Sequence, residues 1–239
     1  TVIKGAASEL SVKDTGDMLL KMGANIKGHG THFIEIEGVE KLNGCEHSVE
    51  SDHLEAGTFI VAGALTPGKV VVKNINFNYL DLFLSKMEEM GMNFDKGENQ
   101  ITVFYSPFLK PIRAQALPYP GFPTDLLPVI IPLLTRAQGK SLVHDPLYEN
   151  RFNYVHELRK MGGDIELVDP HRALVFGPNK LSGITIESSD IRAGAALIIA
   201  ALMADGKTVI NNIFQIDRGY EKIDERLGKL GADIKRLAS

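Results

Sequence analysis

The sequence repeats itself. The dipeptides Met22-Gly23, Met90-Gly91, Met161-Gly162 and Leu230-Gly231 each close an amphipathic stretch, and their glycines lie 68, 71 and 69 residues apart. Gly68-Lys69, Gly139-Lys140 and Gly206-Lys207 recur at spacings of 71 and 67, each after an apolar run and before a short β-type run. The segment 38–44 (GVEKLNG) returns 139 residues later as 177–183 (GPNKLSG). A fixed period of this kind means that one supersecondary unit is used several times.

Each unit reads alike. A helix that is apolar nearly all round, such as 195–203 (AALIIAALM), belongs in a core. The Gly-Lys turn ends it. A β-prone run follows: 70–72, 141–143 and 208–210. Then comes a half-buried helix with apolar positions at i, i+4 and i+7: Phe83, Met87, Met90; Tyr154, Leu158, Met161; Ile223, Leu227, Leu230. Glycine is its expected stop. Two or more strands close the unit, as at 25–27 and 33–36 around the turn Gly28-His29-Gly30. The fold class is α/β (α+β), built from repeated βαβαββ units. Thr1-Val2-Ile3 aligns with Thr208-Val209-Ile210, so the phase places both chain ends inside a unit. The expectation is a piece of a longer protein; atypical terminal repeats are the alternative.

Composition narrows the function. With a net charge of -4 there is no basic field calling for nucleic acid or an anionic membrane. No apolar run approaches the roughly 20 residues that span a bilayer. One cysteine, Cys45, excludes an internal disulfide framework and fits a reducing cytoplasm. Cys45 has no adjacent His or Lys to make it a nucleophile and reads as structural. The seven histidines lack metal-ligand spacing. No metal or cofactor is expected.

The informative charges stand at helix starts. Asp125 and Arg192 each lie 14 residues before a Gly-Lys glycine, at the start of a buried helix. Arg151 and Arg218 fall at the starts of the second helices. A helix N-terminus disfavours a cation. N-terminal N–H groups combined with guanidinium forks, however, make a strong anion site. Local pairing is the other reading, Glu149 with Arg151, Asp190 with Arg192 and Asp217 with Arg218; three arginines in matched positions favour the anion site. Asp125 can accept a proton from a hydroxyl held in line, and Thr124 and Asp125 also suit a helix cap after Pro123.

Phe122-Pro123-Thr124-Asp125, Glu149-Asn150-Arg151-Phe152, Ser189-Asp190-Ile191-Arg192, 216–221 (IDRGYE) and 52–58 (DHLEAGT) resemble, in order and spacing from about Glu9 onward, the motifs of the enolpyruvyl transferase family that acts on UDP-N-acetylglucosamine. The resemblance implies an inside-out α/β barrel, with three units around a pseudo-threefold axis plus part of a fourth. It implies that residues 1–50 are the partial last repeat of a catalytic-loop domain. Residues 51–239 would form a second domain, nearly complete but lacking strands from the N-terminus of the protein.

The implied partners are UDP-N-acetylglucosamine, phosphoenolpyruvate and a missing N-terminal half carrying the catalytic cysteine loop. Asp125 would be the base and a sugar-nucleotide contact. Arg192 and Arg218 would hold the phosphoenolpyruvate anion, with Arg218 catalytic; Arg151, which would support the site, and Asp190 would also bind substrate. The backbone at Leu147 would touch the nucleotide. Leu127, His53 and Ser11 depart from the usual Gln, Arg and acidic residue, which bears on substrate choice. The rivals are a 3-phosphoshikimate enolpyruvyl transferase, against which the Glu-Asn-Arg-Phe and Asp-Arg-Gly-Tyr-Glu motifs argue, and a non-catalytic sugar-nucleotide-binding half-fold.

Overall fold

The structure, a computed structural model, describes residues 1–237. Four runs of elements follow one another. The first is β1 (Val2–Lys4), α1 (Leu10–Lys21), β2 (Asn25–Lys27) and β3 (Phe33–Glu37). The second is α2 (His53–Leu65), β4 (Lys69–Lys73), α3 (Asp81–Met90), β5 (Phe94–Lys96) and β6 (Gln100–Phe104). The third is β7 (Arg113–Gln115), α4 (Leu127–Leu134), β8 (Gly139–His144), α5 (Val155–Lys160), β9 (Asp164–Asp169) and β10 (Arg172–Gly177). The fourth is β11 (Thr185–Glu187), α6 (Ile191–Met203), β12 (Val209–Asn211), α7 (Phe214–Asp217) and α8 (Ile223–Lys229).

The third run is the whole βαβαββ unit, with strand order β7-β8-β10-β9. Strand β7 is parallel to β8, and the other pairs are antiparallel. The first and second runs repeat its antiparallel part as β1-β3-β2 and β4-β6-β5. The fourth repeats its parallel part as β11-β12. The repeat glycines 23, 68, 91, 139, 162, 206 and 231 all have φ between 84° and 140°, a region that glycine enters without steric cost. One backbone bond recurs with them. The carbonyls of Met22, Met90 and Met161 accept from the N–H groups of Asn43, Lys110 and Ser182 at 2.8, 2.8 and 2.7 Å.

Helices α2, α4 and α6 pack on one another at the centre, with sheets outside. All eight residues of α4 are buried, as are Ala56–Leu65 of α2 and Ala193–Ala200 of α6. Glycines permit the close approach: a Cβ on Gly57 would stand 2.7 Å from Leu126, and one on Gly194 2.3 Å from Ile216. The fourth run clasps the second through Thr58 and Tyr220 (Oγ1 to Oη, 2.9 Å) and through Arg226 and Glu55 (2.6 Å).

The expected core positions of the second helices are buried except Leu230, which is 55% exposed. Its counterparts Met90 and Met161 are buried, and each is followed by a strand pair, β5–β6 and β9–β10. No strand follows Gly231 among the described residues. No helix is long and apolar enough to cross a membrane among the described residues.

Candidate active site

Asp125 sits in a single helical turn, Thr124–Leu126, that leads into α4. The turn does not use Asp125 as a cap. Its carboxylate instead meets two guanidinium groups, Arg151 at 3.1 Å and Arg192 at 2.8 Å, one on each oxygen. Its side chain keeps 26% of its exposure, so a ligand can reach it. Arg192 is the second residue of α6. Arg151 lies in the turns before α5, and its guanidinium stacks 4.4 Å above the Tyr148 ring. None of the three local ion pairs read from the sequence forms: Glu149 does not pair with Arg151, Asp190 takes backbone N–H groups, and Asp217 pairs with Arg236.

Two further corrections concern the anion site. Asp190 caps α6 by accepting from the N–H groups of Arg192 and Ala193 at 2.8 and 2.9 Å. Those two donors are spent on the cap, so anion affinity at α6 rests mainly on the side chains. Arg218 does not begin a helix. It is the C-cap of the four-residue α7, and α8 starts five residues later. A cation is favoured at that end of a helical turn. Its guanidinium donates to Gln215 Oε1 at 3.0 Å and has no carboxylate partner among the described residues. Gly219 lets this turn lie against α6, since a Cβ there would stand 2.5 Å from Ile191 and 3.4 Å from Arg192.

Asp125, Arg151, Asp190, Ile191, Arg192, Gln215 and Arg218 line one open pocket of about 300 Å³. Three guanidinium groups face two carboxylates there, one of them engaged in capping. The pocket therefore attracts anions, and charge-assisted bonds from guanidinium forks suit phosphate and carboxylate groups. Beside it, Asp125 is a carboxylate with room to take a hydroxyl proton. Leu147 stands outside the pocket lining, with its side chain 40% exposed.

Sequence reasoning missed Asp145 and Tyr148. Asp145 is 1% exposed. Its carboxylate accepts from Thr124 Oγ1 at 2.5 Å and from the N–H groups of Leu147 and Tyr148 at 3.0 and 3.3 Å. The repeat offered one clue, because Asp145 occupies the position after β8 that is Asn74 after β4 and Asn212 after β12. His53, at the start of α2, stacks on Tyr79 with ring centroids 4.6 Å apart. Burial pulls its pKa down; Asp52 opposes this, and the charges of Arg192 and Asp125 also reach it. Leu127 is buried in the core, whereas Ser11 is exposed on α1. Among the described residues no group of three His, Cys, Asp or Glu side chains is placed to hold a metal ion.

A central bundle of helix starts bearing a carboxylate and converging arginines, ringed by repeated sheets, is the half-fold of an enolpyruvyl transferase. The chain belongs to the EPSP synthase (3-phosphoshikimate 1-carboxyvinyltransferase) family, whose pattern it matches over residues 1–227. It is 46% identical over 237 residues to the UDP-N-acetylglucosamine 1-carboxyvinyltransferase of Halothermothrix orenii, covering 99% of this chain and 57% of that protein. To the UDP-N-acetylglucosamine 1-carboxyvinyltransferase 2 of Bacillus subtilis it is 43% identical, covering 99% and 55%. The crystal structure of the enolpyruvyl transferase NikO from Streptomyces tendae superposes with a TM-score of 0.89 at 27% identity, over 98% of this chain and 56% of that one. EPSP synthase from Acinetobacter baumannii shares the fold, with a TM-score of 0.72 at 23% identity over 94% of this chain and 55% of that one. The chain thus spans about half the length of the curated relatives it matches.

Proposed function

We propose that this chain forms one wall of an active site that transfers enolpyruvyl from phosphoenolpyruvate to the 3-hydroxyl of UDP-N-acetylglucosamine. The carrying observation is the Asp125 carboxylate held between Arg151 and Arg192, with Arg218 free of any carboxylate in the same pocket. Asp125 accepts the hydroxyl proton as that oxygen bonds to C2 of phosphoenolpyruvate. An acid delivers a proton to the methylene carbon, giving a tetrahedral adduct. Loss of a methyl proton then re-forms the double bond and expels phosphate. Arg192 and Arg218 bind the phosphate and carboxylate, whose charge must be held throughout. Arg151 fixes Asp125, Asp190 fixes the start of α6, and the backbone at Leu147, whose N–H is held by Asp145, touches the sugar nucleotide.

In this reading residues 1–50 belong to the neighbouring domain and residues from 51 to the second one. The acid and the opposite wall come from sequence outside these residues. That this chain covers 57% and 55% of two curated relatives supports such further sequence. The product is the first committed precursor of peptidoglycan, made in the cytoplasm, where a free Cys45 is at home. The test is phosphate release. The protein extended to the relatives' length is expected to release phosphate from phosphoenolpyruvate with UDP-N-acetylglucosamine and none with shikimate 3-phosphate. The 239-residue chain alone is expected to release none. Turnover by the chain alone, or the opposite substrate preference, overturns the reading.

A further inference from the structure

We propose that Asp145 is a positioning residue for Asp125, an inference that rests on the functional reading above. At the position six residues after the repeat glycine, Asn74 and Asn212 adopt left-handed backbone with φ of 59°, and Gly5, which aligns with Asn212, has φ of 70°. Asp145 alone in this set has an ordinary φ and a buried carboxylate. A buried carboxylate persists only when its oxygens are bonded. One Asp145 oxygen takes Thr124 Oγ1, the other the N–H groups of Leu147 and Tyr148. The backbone of Asp145 is fixed in turn by His171: its N–H donates to the His171 carbonyl, and its carbonyl meets His171 Nδ1, both at 2.8 Å.

These contacts close a circuit. Asp145 holds Thr124, and the next residue is Asp125. Asp125 pairs with Arg151, Arg151 stacks on Tyr148, and the Tyr148 N–H returns to Asp145. Asp125 therefore cannot shift without straining either the Thr124 bond or the Arg151 stack. A side chain outside the pocket thus sets the reach and direction of the carboxylate inside it. It also presents the peptide at Leu147, through the same carboxylate.

The test is kinetic, in the protein extended to the relatives' length. Asp145→Ala strips three groups of their acceptor at once, so Thr124→Val is the sharper variant. It removes one bond and leaves those to Leu147 and Tyr148 intact. We expect kcat to fall roughly 10²-fold, the cost of misplacing a reacting group by about 1 Å. KM for UDP-N-acetylglucosamine should change far less, and Thr124→Ser should restore most of kcat. Tyr148→Leu, at a half-exposed site where folding is not at risk, should lower kcat from the Arg151 side. If the parent protein releases no phosphate, the functional reading falls and this inference with it. If the parent turns over, wild-type kcat in Thr124→Val or in Tyr148→Leu, or failure of Thr124→Ser to rescue, overturns the role of Asp145 alone.

Discussion

The hydroxyls of Thr58 and Tyr220 meet at 2.9 Å in the core, joining α2 to the turn after α7 across 162 positions of chain. Thr58 also donates to the Leu54 carbonyl at 2.8 Å. Tyr220→Phe therefore leaves no stranded donor, and should cost only the net worth of one hydrogen bond, about 0.5–1.5 kcal/mol. Urea unfolding of the two proteins measures it.

Alkaline pH should act through the same residue. Burial raises the Tyr220 phenol above its ordinary value near 10, with the Thr58 bond opposing, and burial pushes Tyr79 up to about 12. A raised folded-state pKa contributes stability that is whole below the unfolded value and is lost as pH climbs through the folded one. The contribution of these two phenols to the thermal midpoint should be constant from neutral pH to about 10 and fall as pH rises from there. The fall should be shallower in Tyr220→Phe.

Tyr154 should behave in the opposite way to Tyr220 at neutral pH. Its hydroxyl is buried with no hydrogen-bond partner among the described residues, and the matching residue of the preceding unit is Phe83. An unpaired buried hydroxyl costs about 1–3 kcal/mol. Tyr154→Phe should leave stability unchanged or raise it, as read by the denaturant midpoint; a clear loss would show that the hydroxyl is bonded.

Gly194 is where α6 meets Ile216. Gly194→Ala places a methyl group 2.3 Å from that side chain and 2.8 Å from Ser188 Oγ. Overpacking of this kind should destabilise by about 1–3 kcal/mol, exceeding the helix-propensity gain of about 1 kcal/mol. Unfolding free energies of the two proteins decide it.

Arg218 should separate binding from folding. With Gln215 as its side-chain partner, Arg218→Gln should barely move the melting temperature. It should raise KM for phosphoenolpyruvate and lower kcat in the extended protein. Arg218→Lys should recover only part of this, because an ammonium cannot form the bidentate fork. Unchanged kinetics in Arg218→Gln would remove it from the anion site.

The fold was legible because each landmark has a local cause. Glycines 91 and 162 mark left-handed stops, and apolar runs such as 195–203 have no polar face to expose. Leu230 is the exception: its buried counterparts Met90 and Met161 are each followed by a strand pair, and no strand follows Leu230 among the described residues. The site was only half legible. Sequence placed Asp125, Arg151 and Arg192 at related points of the repeat. Local spacing suggested Glu149 and Asp190 as partners, whereas folding joins the starts of α4 and α6 and the turns before α5 around Asp125. The position of Arg218 depended on α7, a single turn too short to leave a periodic signal. Asp145 was invisible because its importance lies in what it touches, Thr124 and the Leu147 peptide, rather than in any motif.

The central claim is that Asp125 is the base of an enolpyruvyl transfer. Its most direct test is phosphate release by Asp125→Ala in the protein extended to the relatives' length, with both substrates saturating and circular dichroism checking the fold. Loss of release with the fold intact is the expected result. Near-normal release would remove Asp125 from the chemistry and contradict the mechanism.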